Sequence, residues 1–178
     1  MKQSHCIINE RQNQERVEGF CSSVYHLGVG GDDLVVLLTF AALGGWVEGD
    51  GLIDDLRSTG LSDIGLSDIR IQQSLDLLCG NGIIISPSID KGRAICFSDV
   101  IPWSPQAADF SRRVLDLNYP ADTVRALFLF ISGRPDGMSN GKWIHEIENL
   151  DRDGILDEEG VIEVEYAISD GMKERLGI

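Results

Sequence analysis

The stretch LDLLCGNGIIIS at residues 75–86 decides how the chain folds. Leu75 and Leu78, with Ile71 a turn earlier, share one face of a helix. Asn81-Gly82 stops that helix, because glycine enters the left-handed conformation that a helix exit requires at no steric cost. The β-branched run Ile83–Ile85 then starts at once as a strand. A second strand-forming run, AICF at 94–97, follows Asp90-Lys91-Gly92-Arg93, and the two runs read as a β-hairpin with glycine in its turn. Pro87 marks an irregular or edge position in the first strand.

Upstream, Asp32 and Asp33 introduce LVVLLTFAALGG (residues 34–45), a helix that Gly44 and Gly45 end. It is apolar on nearly every side, so it belongs at the centre of a helical core. A short amphipathic helix follows through Leu52, Ile53 and Leu56, and then the helix DIRIQQSLDLLCG at 68–80. Residues 10–27 form another amphipathic helix, with Val17, Phe20, Cys21, Val24 and Leu27 at spacings of three and four. Gly28, Gly30 and Gly31 break it.

The second half of the chain repeats the first. ADTVRALFLFISGR at 121–134 matches DDLVVLLTFAALGG at 32–45, pairing Asp33 with Asp122, Leu38 with Leu127 and Gly44 with Gly133. Further on, Leu75 pairs with Ile147, Leu78 with Leu150, Gly82 with Gly154 and Ile83 with Ile155, and Phe97-Ser98-Asp99 pairs with Ile168-Ser169-Asp170. The offset falls from 89 to 72, so the repeat is about 17 residues shorter and lacks the short second helix or its surroundings. For residues 158–176, one continuous helix competes with a hairpin. The alternation of Ile162, Val164, Tyr166 and Ile168 with Glu163 and Glu165 favours the hairpin. PQAADFSRRVLDLN (105–118) gives a connecting helix with Pro105 in its first turn.

Helix, short helix, helix and hairpin over residues 33–99 is the order of a winged helix-turn-helix, and the chain resembles that superfamily most closely in LDLLCGNGIIIS and the hairpin after it. YAISDGMKERL (166–176) resembles the strand-to-helix exit of MarR- and PadR-like regulators, except that Gly171 follows Asp170 directly. The expected fold is mainly α with small β-hairpins (α+β), arranged as tandem winged-helix-like domains. The expected divisions are an N-terminal helical segment at 1–31, a winged-helix domain at 32–100, a linker helix at 101–120 and a second, shortened unit at 121–178. The N-terminal helix is expected to pack on the first unit or to mediate a homodimer.

Such a domain reads DNA with base-contacting side chains on its third helix and cations on its wing. Here those positions carry Arg70, Gln72 and Gln73 on the helix, Lys91 and Arg93 at the hairpin tip, and Arg57 near the end of the short helix. Arginine suits guanine and glutamine suits adenine in the major groove. Asp63, Asp68 and Asp76 flank the same surface and repel phosphate. The equivalent part of the second unit offers Glu146 and Glu148, with Asp157, Glu158 and Glu159 in its hairpin turn, a surface suited to a basic protein partner. A solvated polar face explains either set without any partner.

Composition bounds the rest. The chain has 178 residues and a formal charge of −14, of which 138–178 contribute 4 basic and 11 acidic residues. That balance opposes nucleic-acid binding unless cations cluster on one face. No apolar run is long enough to span a membrane. The N-terminal stretch has no apolar core of signal-peptide length, and the four scattered cysteines read as reduced cytoplasmic thiols. His5, Cys6, Cys21 and His26 lack zinc spacing. Residues 149–157 imitate a calcium loop, but the final bidentate position falls on Gly160. No GxSxG, HExxH, P-loop or GxGxxG occurs, so no catalytic, metal or cofactor site is expected. Trp46, Trp103 and Trp143 read as core or inter-unit plugs, with Trp103 pinning the linker. Two functions follow: a tandem winged-helix factor in a DNA-associated process, such as transcriptional regulation or nucleoprotein assembly, or an acidic adaptor or inhibitor that binds protein and not DNA. Acidic tandem winged helices of the second kind are found among the small subunits of bacterial condensins, and some phage-encoded antagonists occupy nucleic-acid-binding grooves.

Overall fold

The computed structural model describes residues 2–47, 52–58, 66–85, 95–132, 139–159 and 165–178. Lys91, Arg93, Asp63 and both hairpin turns lie outside them. The chain is mainly helical with two small antiparallel sheets. In order it forms α1 (Lys2–His26), α2 (Asp32–Ala42), β1 (Trp46–Val47), α3 (Leu52–Leu56), α4 (Asp68–Gly80), β2 (Ile84–Ile85), β3 (Ile95–Phe97), α5 (Pro105–Leu115), α6 (Ala121–Ile131), α7 (Asn140–Arg152), β4 (Leu156–Glu159), β5 (Glu165–Ile168) and α8 (Asp170–Leu176).

Helix α2 is the hub. Every residue from Leu34 to Ala42 is buried, although Val35, Val36 and Thr39 are indifferent helix formers. Burial on all sides therefore holds this helix, each large side chain contributing about 1.5–3 kcal/mol. Thr39, the buried polar residue in the run, satisfies its hydroxyl by donating to the Val35 carbonyl at 2.9 Å. Helices α4, α5 and α6 all pack on α2. Ala107 and Ala108 on the buried face of α5 let that helix come close. Phe110 of α5 and Phe20 of α1 both meet Phe128 of α6, at ring distances of 5.5 and 6.4 Å.

The connecting helix is thus part of the core. Its arginines also close other helices: Arg112 Nε donates to the Ala42 carbonyl at the end of α2, and Arg113 Nη1 donates to the Glu174 and Arg175 carbonyls at the end of α8. A cation at a helix C-terminus offsets the dipole as well as satisfying orphan carbonyls. Helix α1 buries Val17, Phe20, Cys21 and Val24, the stripe read from the sequence. It packs chiefly on α5 and α6, because Phe128 of α6 presents the aromatic surface that Phe20 completes.

The two halves repeat in their hydrogen bonds as well as their sequence. Helix α4 ends with Ile83 N–H donating to the Leu78 carbonyl at 2.9 Å, and α7 with Ile155 N–H donating to the Leu150 carbonyl at 2.9 Å. Gly82 and Gly154 take φ of 68° and 70°. The strands then return in the same way, Ser98 N–H to the Ile83 carbonyl and Ser169 N–H to the Ile155 carbonyl. The helical exit at Gly154 also disposes of the calcium-loop pattern, since residues through Arg152 are helical.

The first sheet has three strands in the order β1-β3-β2; β1 was not anticipated, because two residues carry no periodicity. The second sheet pairs Leu156 with Ile168 through to Glu159 with Glu165. Asp157, Glu158 and Glu159 therefore lie in strand β4 and not in the hairpin turn, the register carrying the ladder past them. The hairpin reading holds over the helical one, and α8 follows it.

Gly45 illustrates how tightly α2 is closed. It has φ of 68°, and a Cβ there would lie 2.8 Å from the Phe97 ring and 3.1 Å from Trp103. Gly45→Ala is expected to destabilise the protein by well over 1 kcal/mol, combining a left-handed penalty of about 1–2 kcal/mol with the clash. Gly19→Ala, in mid-helix with open space around it, is expected to stabilise by about 0.5–1 kcal/mol. Denaturant unfolding of both variants checks the opposite signs.

Candidate functional site

The surface singled out by the sequence is the outward side of α4 with its neighbours. Ser67 caps this helix, its hydroxyl accepting from the Arg70 N–H. Ile71, Ser74, Leu75 and Leu78 face inward, which turns Ile69, Gln72, Gln73, Asp76 and Leu77 outward.

The arginines do not stand free there. Arg70 Nε donates to Asp32 Oδ2 at 2.8 Å and Arg70 Nη2 to Asp33 Oδ1 at 3.2 Å, while the Ser74 hydroxyl donates to the same Asp33 oxygen at 2.6 Å. The Asp32 hydrogen bond, backed by the charges of Asp33 and Asp32, raises the Arg70 pKa further. The expected base reader therefore ties α4 to the start of α2. The cause is α2 itself: its acids must sit outside the apolar core, and α4 brings the nearest cation. Arg57 is engaged in the same way by Asp68, with Asp54 at 3.7 Å. Gln72 donates to Asp76 Oδ1 at 2.8 Å along its own helix; Gln73 is exposed.

In the second half Lys142 of α7 meets Asp122 of α6 at 2.7 Å, the counterpart of Arg70 with Asp33. Thr123 donates to Glu146 Oε2 at 2.7 Å across the same helix pair. Glu146 is buried, so it does not belong to an acidic partner-binding surface; it occupies the repeat position of Ser74 and has the same inward-facing role. Glu148 is exposed as expected.

Apolar side chains also stand on these surfaces. Ile69 is 73% exposed and Leu77 47% on α4, and Ile144 is 56% exposed on α7. On the first sheet Trp46 and Ile85 are both exposed and share register with Cys96 between them, so Trp46 is no core plug. Strand alternation sends its neighbour Val47 inward instead. Trp103 does pin the linker, donating from Nε1 to the Ala41 carbonyl at 3.3 Å, and Trp143 stacks on Phe130 at 6.5 Å. Exposed Ile69 and Leu77 were visible in the sequence as apolar residues off the buried stripe.

Among the described residues no group of three or more His, Cys, Asp or Glu is placed to hold a metal, and no helix is long and apolar enough to cross a membrane. Among the described residues, two surface clefts stand out. One of about 220 Å³ is lined by Val24, Tyr25, Leu34, Arg125 and Phe128 among others, and one of about 290 Å³ by Glu18, Phe130, Ile168, Lys173 and Ile178 among others; neither has a Ser, Cys or His in its lining. Cys21, Cys79 and Cys96 are free thiols. Burial raises the pKa of Cys21, with Glu18 adding to it, and burial with Asp76 raises that of Cys79, which keeps both in the unreactive thiol form. Comparison with protein-family models, curated proteins and solved structures finds no match for this chain.

Two predictions follow from these contacts. Thr123→Val leaves a buried carboxylate without its donor and is expected to cost about 1–3 kcal/mol in denaturant unfolding. Tyr119 is pushed up to about 12 by burial and by its hydrogen bond to Asp153. Its folded state holds the proton more tightly, so the stability it contributes is complete below about pH 10 and disappears as pH rises through about 12. Ultraviolet titration should show one tyrosine ionising late, and Asp153→Asn should bring it back toward 10.

Proposed function

We propose that the protein is a non-enzymatic, cytoplasmic adaptor or inhibitor of winged-helix type that binds a basic protein partner and does not read DNA through α4. The element order helix, strand, short helix, helix, hairpin, with the sheet order β1-β3-β2, supports the winged-helix reading. The observation that carries the function is the engagement of Arg70 and Arg57 by Asp32, Asp33 and Asp68. A DNA-reading helix needs those groups available for base edges and phosphates. Around α4, among the described residues, five carboxylates (Asp32, Asp33, Asp54, Asp68 and Asp76) accompany the guanidiniums of Arg57 and Arg70, within a chain of charge −14. Approach to a phosphate backbone is therefore repulsive, and approach to a cationic protein surface is attractive.

The DNA-associated reading keeps a support in the sequence, the cations Lys91 and Arg93 between the two strand-forming runs. Fluorescence anisotropy of mixed-sequence duplex DNA across a salt series separates the two. The proposal expects no binding even at low salt. Micromolar binding that weakens steeply with salt would contradict it.

A further inference from the structure

Ile69 and Leu77 stand two turns apart on the outward side of α4, with Gln73 midway between them on the same ridge. An i, i+4, i+8 ridge is the geometry by which one helix packs along another. It runs over about 12 Å of helix axis. One border, the row Asp68, Gln72 and Asp76, is acidic; on the other stands Arg70, held by Asp32 and Asp33. Asp76 is exposed beside it and accepts from Gln72, and Asp68 at the start of the helix is half exposed in its ion pair with Arg57. Exposed apolar side chains this large are otherwise a liability on a soluble surface, and an acidic rim keeps such a ridge from pairing with its own copy, because two such rims repel.

We infer that the α4 ridge is a docking surface for an amphipathic helix of a partner whose apolar stripe is flanked by lysine and arginine. This rests on the reading of the protein as a binder of basic partners and assigns the surface and the chemistry of the segment it takes. Ile69 and Leu77 enter the partner's apolar stripe, Gln73 bonds across the middle, and Asp68 and Asp76 meet the flanking cations. The stripe of the partner supplies affinity, and its cations supply register and exclude acidic helices.

The test titrates the 178-residue chain with a synthetic helical peptide of about 20 residues, leucine at helix-face positions and lysine elsewhere. A peptide of the same composition in scrambled order serves as comparison. Amide NMR locates the contact. The expected result is binding of the ordered peptide at least tenfold tighter than the scrambled one, with shifts centred on residues 68–80. Ile69→Asp and Leu77→Asp should each weaken it tenfold or more without altering the circular dichroism, whereas Ile144→Asp on α7 leaves it unchanged. Leu77→Gln, a milder change, should weaken it less. Equal binding of the two peptides, or shifts centred on 140–178, would overturn the α4 assignment while leaving a basic partner in place. Failure of both peptides to bind would remove the basic-partner reading along with it.

Discussion

The constraint on which this structure depends is that α2 has no polar face. A helix buried from Leu34 to Ala42 cannot lie on a surface, so neighbours must enclose it. Helix α4 covers one side, α5 another and α6 a third, and the sheet residue Phe97 closes the end by meeting Phe40 edge-on at 4.9 Å. The same constraint pushes charge to the ends of α2. Its first turn holds Asp32 and Asp33, which suit the positive end of the helix dipole, and its last carbonyls take Arg112. What each neighbour must bring to α2 is thereby fixed: apolar surface along the middle, a cation at each end.

That arrangement explains why the functional reading turns on α4. A cation on its first turn lies beside the acids of α2 by geometry, and the second half of the chain reproduces the pairing with Lys142 and Asp122. Two occurrences of the same contact, at equivalent positions of a repeated sequence, are what a fold requirement looks like. Ser74 and Glu146, also equivalent, both turn inward and bond the opposite helix. On the outward side of α4, Ile69 and Leu77 stand exposed.

Much of the fold is legible in the chain, because the signals are local. Glycine at 82 and 154 ends two helices, each followed by isoleucine, and the apolar periods of α1 and α4 mark their buried faces. The alternation before Ile168 correctly separates hairpin from helix. Strand β1 escapes because Trp46 and Val47 are recruited by pairing with Cys96 and Ile95, a tertiary event. The candidate site was less legible for a similar reason. Arg70 reads as exposed from helical period alone, and its partners lie 37 and 38 residues away. Glu146 reads as solvated because charge usually is, yet Thr123 supplies the donor that lets it be buried. Glutamate and arginine declare their charge in sequence but not their partners.

The central claim is that Arg70 belongs to the fold. A double-mutant cycle between Asp33→Asn and Arg70→Met, read by denaturant unfolding, tests it most directly. The account expects Arg70→Met to destabilise the protein when Asp33 is present and to cost less once Asp33 is neutralised. The expected coupling is on the order of 1 kcal/mol, since the pair is partly exposed and solvent screens it. An arginine whose removal leaves stability unchanged in both backgrounds would contradict the account and return Arg70 to the list of groups available for a ligand.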